Sequence, residues 1–133
     1  MISDNNNIKY TPKSLTPKVL QVSDALGLYG AEVARVLHLK CADINAMAST
    51  KKLLNQGEVA WHYAILFVEL YQNLYLLKNG DDVSIYHWFR INNPSLGGTP
   101  LMLIVDHDKL IEVSGFIKNE LIEFKKVYEN ELF

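Results

Sequence analysis

Asp106-His107-Asp108 sets an imidazole between two carboxylates, an arrangement that can move protons in acid-base chemistry. Acidic residues at such a place also begin helices, where their oxygens accept from free backbone N–H groups and suit the dipole. The spacing here reads as a last helix capped by Asp106 or Asp108. The other histidines, His38, His62 and His87, stand far apart and form no metal-ligand spacing. Leu96-Gly97-Gly98-Thr99-Pro100 lacks the lysine and the earlier glycine of a phosphate-cradling loop. One cysteine, Cys41, cannot make an internal disulfide and fits a reducing cytoplasm. The chain therefore reads as a non-enzymatic protein with no cofactor and no metal, whose chemistry is recognition.

Two sets of residues could carry that recognition. Lys40, Lys51 and Lys52 can neutralise phosphates, while Asn45, Ser49 and Thr50, with Asp43 and Ala46 among them, fall on the exposed face of a helix expected from Cys41 to Leu53. Cations of this kind supply affinity for DNA, and amides or hydroxyls read base edges. The second set surrounds Trp88. Pro94 pushes Asn93 out of the helical region and ends the helix carrying Trp88 and Arg90. Gly97 and Gly98 can take positive φ, and their exposed amides admit another chain. Thr99 then caps a new helix with Pro100 at its first position.

Trp88, Asn93-Pro94, Leu96-Gly97-Gly98 and Thr99-Pro100-Leu101 occur in the order found in the toxin-binding domain of Xre/MbcA/ParS-type antitoxins, which this chain resembles most closely between Ser84 and Val113. The resemblance implies a bacterial cytoplasmic protein that binds and neutralises a toxin that consumes NAD or transfers ADP-ribose. It implies toxin contacts at Trp88, Arg90, Asn93, Pro94, Gly97, Gly98, Thr99 and Pro100. Upstream, Glu32-Val33-Ala34-Arg35-Val36-Leu37 with Ile44 resembles an Xre-type helix-turn-helix, which adds operator DNA as an expected partner. The alternative is a dimeric helix-turn-helix transcriptional regulator with no toxin.

An all-α fold of about seven helices must position these residues, since no stretch alternates at period two long enough for a strand. Thr16-Pro17 opens the first helix, which runs to Gly27; a second follows from Gly30 to Leu37, with Val33, Ala34 and Leu37 facing Ile44 of the third. Asn55-Gln56-Gly57 is the clearest boundary. Residues 1–14 are expected as a flexible arm, 15–56 as the helix-turn-helix unit, 57–80 as a central helix and 81–133 as the toxin-binding unit. The opening residues, Met1 to Asn7, carry no secretory signal pattern. His62, Glu69, Gln72 and Asn73 interrupt the central helix and argue against a membrane span. Its remaining surface is apolar nearly all round, which predicts packing on several sides and a homodimer. Residues 1–56 hold seven basic and four acidic side chains, and residues 57–133 hold six basic and eleven acidic. The first half thus tolerates a polyanion and the second repels one.

Overall fold

In the computed structural model, which describes the backbone of residues 9–132 and the side chains of residues 9–129, the chain is all-helical, with seven helices and no strand among the described residues. They are α1 (Pro12–Leu26), α2 (Gly30–Leu37), α3 (Cys41–Ala48), α4 (Val59–Leu77), α5 (Asp82–Arg90), α6 (Pro100–Val105) and α7 (Leu110–Leu132). No helix is long and apolar enough to cross a membrane. The chain divides into two compact units between Val68 and Glu69, within α4.

The first helix starts one cap earlier than Thr16-Pro17. Thr11-Pro12 repeats the same cap-then-proline grammar, and Thr11 and Ser14 close a reciprocal capping box. Thr16 lies inside α1, buried, where its hydroxyl donates to the Pro12 carbonyl at 2.7 Å and accepts from the Leu54 N–H at 2.9 Å. One hydroxyl thus ties α1 to a segment 38 residues away. The end of the expected arm is accordingly structured, with Tyr10 buried and Pro12 already helical; Met1 to Asn7 lie outside the described residues.

In the first unit α2 and α3 pack together across the turn at His38-Leu39-Lys40, with Val33, Ala34, Leu37, Ile44 and Met47 buried. Each helix begins with an acidic residue at its third position reaching back to the cap amide. Glu32 accepts from Tyr29 N–H at 2.8 Å, and Asp43 accepts from Lys40 N–H at 3.0 Å. His38 closes α2 in the left-handed region at φ 61°, and its ring stacks on Tyr63 with centroids 4.3 Å apart.

The third helix is shorter than expected. Thr50 takes φ 62°, Thr50 N–H donates to the Met47 carbonyl and Lys51 N–H to the Ala46 carbonyl, the paired bonds of a Schellman end. Ser49 reinforces it by donating its hydroxyl to the Asn45 carbonyl at 3.0 Å. A β-branched residue stands where glycine usually marks such a stop, so the breaking signal is absent from the sequence. The chain turns there and carries Leu54 into the core.

Trp61, Ala64, Ile65, Phe67, Val68, Leu70 and Leu74 of α4 are buried, as its apolar circumference requires; its exposed large apolar residues are Val59, Tyr75 and Leu76. In the second unit α5 packs with α6 and α6 with α7, around Ile85, Phe89, Ile104, Leu110, Val113 and Ile117. Asp81 caps α5 by accepting from the N–H groups of Val83 and Ser84. Asp106 ends α6 rather than opening α7, and Asp108 sits in the left-handed region at φ 54° just before α7 begins.

Candidate functional site

The helix carrying Trp88 buries one face through Ile85 and Phe89 and leaves Trp88 partly exposed, its ring stacked near Phe89 at 6.5 Å between centroids. Below Arg90 the chain leaves the helix as Pro94 requires, and Asn93 becomes the hub of the junction. Its side-chain oxygen accepts from Ser95 N–H at 3.0 Å. Its carbonyl accepts from Leu96 N–H at 3.0 Å, Gly97 N–H at 2.9 Å and Gly98 N–H at 3.4 Å, while its own N–H donates to the Gly98 carbonyl at 2.9 Å. Asn93 and Gly98 form an isolated antiparallel bridge. Gly97 takes φ 81° as the turn demands, whereas Gly98 stays outside the positive-φ region. Thr99 accepts from Met102 N–H at 3.4 Å and Pro100, buried, occupies the first position of α6.

The amides of Gly97 and Gly98 are therefore not offered to another chain, contrary to expectation. Asn93 has already claimed them. What the junction presents instead is side-chain surface: Lys78, Ser84, His87, Trp88, Ile91, Asn92, Asn93 and Pro94 line an open groove of about 490 Å³. Ile91 is 60% exposed and Pro94 is exposed, so apolar surface lies in this groove beside the polar side chains of Lys78, Ser84, His87, Asn92 and Asn93. The structure brings Trp88, Asn93 and Pro94 together here. It puts Gly97, Gly98, Thr99 and Pro100 to work inside the junction, and Arg90 outside the groove lining. The Arg90 guanidinium lies over the Tyr86 ring at 3.7 Å and donates to the Tyr86 carbonyl, so it is partly covered. Ile91, Lys78 and His87 escaped sequence reasoning. For Ile91 the signal was present: an apolar residue at a helix end just before Asn-Pro, where no further turn can cover it.

The DNA-facing set fares differently. Lys40 and Asn45 are exposed at the start and middle of α3, but Ser49, Thr50, Lys51 and Lys52 follow its end rather than extend its face. Ser49 and Thr50 turn their hydroxyls onto main-chain carbonyls, Thr50 onto Ser49 at 2.6 Å. Lys52 pairs with Asp43 at 3.1 Å and lies 4.0 Å from Glu58. The Lys40 backbone N–H and then the Lys52 ammonium hold the Asp43 carboxyl below the ordinary value, and the same hydrogen bond raises Lys52. Asp43 is thereby neutralised within the fold instead of facing a polyanion. Lys40, Asn45 and Lys51 remain as the exposed polar set.

Asp106, His107 and Asp108 are all exposed between α6 and α7. Among the described residues no three His, Cys, Asp or Glu side chains converge on a metal site. Comparison of the chain with models of known protein families, and with curated protein sequences, finds no match.

Proposed function

We propose that this protein is an antitoxin that neutralises a small NAD-consuming or ADP-ribosylating enzyme by binding it through the groove of Trp88, Ile91, Asn93 and Pro94. The observation that carries this reading is that Trp88, Asn93 and Pro94, the residues on which the family resemblance rests most, line one exposed surface. An aromatic anchor with apolar neighbours and a polar rim is the usual composition of a protein-binding hot spot. The junction backbone is closed by its own hydrogen bonds, so it is already ordered without a partner and loses little entropy on binding.

Operator binding is a second role, supported by the packed α2–α3 pair and by the exposure of Lys40, Asn45 and Lys51. The test of the main reading is co-expression with the product of the adjacent reading frame, followed by cellular NAD and growth. The parent restores both. Trp88→Ala and Ile91→Glu fail to restore them while keeping the parent's helical circular dichroism. Full protection by both variants, or an adjacent product that is harmless alone, overturns the proposal.

A further inference from the structure

One face of α5 repeats at helical spacing without joining the core. Ser84, His87, Trp88 and Ile91 stand three, one and three positions apart, a single stripe of a helix, and all four line the groove described above, whereas Ile85 and Phe89 are buried. The stripe divides by chemistry. Ser84 and His87, with Lys78 just before the helix, make its first part polar and basic, while Trp88, Ile91 and Pro94 make its last part apolar.

The charge in this groove has one sign. No lining residue is acidic, although residues 57–133 hold eleven acidic side chains against six basic ones. Among the described residues neither the Lys78 ammonium nor the His87 ring forms an ion pair, while Lys109 and Lys126 pair with Glu112 and Glu123 three positions away. Of the two aspartates that precede the stripe, Asp81 is held by the Val83 N–H, the Ser84 N–H and the Ser84 hydroxyl. The charge of Asp82 acts on the Tyr71 phenol, which is not part of the groove lining. Lys78 and His87 are thus left to a carboxylate from another chain.

The source of that carboxylate also follows. A chain terminus is captured by a run of free backbone amides, and here the Leu96, Gly97 and Gly98 amides are all spent on the Asn93 carbonyl. An acidic side chain remains. From Ser84 to Ile91 the helix rises about 10 Å, the reach of about three extended residues. We infer that the groove takes an internal acidic segment of its protein partner, an Asp or Glu meeting Lys78 and His87 and, two or three positions along, a large apolar side chain lying against Trp88, Ile91 and Pro94. The inference rests on the groove being the protein-binding surface proposed above, and it adds which kind of segment that surface accepts.

Selection of random peptides displayed on phage against the full chain tests it with no toxin present, so its failure and that of the antitoxin reading are told apart. Enriched peptides are expected to carry an acid two or three positions from a leucine, phenylalanine or tryptophan. The best of them, made with acetylated and amidated ends and a fluorescein label, then binds the parent chain in fluorescence anisotropy. Replacing its acid by the amide, or introducing Lys78→Glu in the protein, weakens binding at least about tenfold at low salt, and about 0.5 M NaCl narrows the gap. His87→Ala weakens it less, about threefold, through loss of one hydrogen bond. The Lys78→Glu chain instead prefers the counterpart peptide with lysine in place of the acid. Ile91→Glu loses the peptide as well, which puts it in the groove, and circular dichroism checks that each variant stays helical. No enrichment over the unselected library, enriched peptides without an acid, equal binding of acid and amide peptides, or binding that survives Lys78→Glu or Ile91→Glu overturns the inference. Neutralisation lost on Ile91→Glu would in those cases still uphold the antitoxin reading, with a different occupant.

Discussion

After α3 the polar residues turn inward. Ser49 and Thr50 spend their hydroxyls on carbonyls, Lys52 pairs with Asp43, and Leu54 N–H reaches the buried Thr16. After α5 the bonding is equally dense, but it runs almost wholly through one residue, Asn93, and through main-chain groups. The first arrangement consumes side chains that could have met DNA. The second leaves Ile91 and Pro94 exposed, with Trp88 partly exposed beside them. Which atoms close a helix junction decides which side chains remain for function, even when residue types on paper look alike.

The sharpest way to break that contrast is to compare neighbours on α5. Phe89 is fully buried, and Phe89→Ala should lower unfolding free energy by about 3 to 5 kcal/mol through lost burial and the cavity left behind. Trp88, partly exposed on the groove, should cost less on the same change, about 2 to 3 kcal/mol, despite its larger ring. Urea titration followed by circular dichroism measures both. Equal losses would mean that Trp88 is core and that the groove is incidental.

Much of this was legible from the sequence. The helix from Gly30 to Leu37, the cap at Thr99 with Pro100 behind it, and the stripe through Leu110, Val113 and Ile117 follow from capping chemistry and periodicity that packing reinforces. Thr16-Pro17 misled because Thr11-Pro12 offers the same local signal with a better box, and only the distant Leu54 shows what Thr16 is for. Thr50 misled because tertiary packing of Leu54 imposes a left-handed residue that local propensity disfavours. At the site, Pro94 and Gly97 read correctly from backbone geometry. Partners of the glycine amides and of Arg90 depend on which way Asn93 and Tyr86 lie, and spacing does not specify that.

Gly97 and Gly98 sharpen the comparison further, because they look equivalent in the sequence and differ in the fold. Alanine at Gly97 must hold φ near 81°, a cost of about 1 to 2 kcal/mol, although its Cβ would meet open space. Alanine at Gly98 pays no such conformational penalty and touches Leu103 at 3.4 Å, an ordinary contact, so the loss should stay below about 1 kcal/mol. Thermal unfolding of the two variants separates them. A larger loss at Gly98 would contradict the placement of the turn.

Acid titration probes the same two regions at smaller amplitude. Asp43 in the first turn of α3 and Asp81 at the start of α5 both have carboxyls held below the ordinary aspartate value in the fold, Asp43 by the Lys40 amide and then Lys52, Asp81 by the Ser84 hydroxyl and backbone and then Val83. A depressed folded value means that the native state binds the proton less readily than the unfolded chain, whose aspartates titrate near about 3.9. Each carboxylate's contribution is thus fully present above that pH and is lost as pH falls through the lower, folded value. The melting temperature should stay level with respect to these groups above pH of about 5 and decline toward about 2 to 3. Asp43→Asn and Asp81→Asn should each start lower and fall less. Salt distinguishes them. Part of the Asp43 effect is attraction to the Lys52 ammonium, which about 0.5 M NaCl screens, whereas Asp81 is held by neutral donors and should be nearly indifferent to salt. If the acid loss removed by Asp81→Asn shrank with salt as much as that removed by Asp43→Asn, the distinction between a junction closed by charged side chains and one closed by neutral donors would fail.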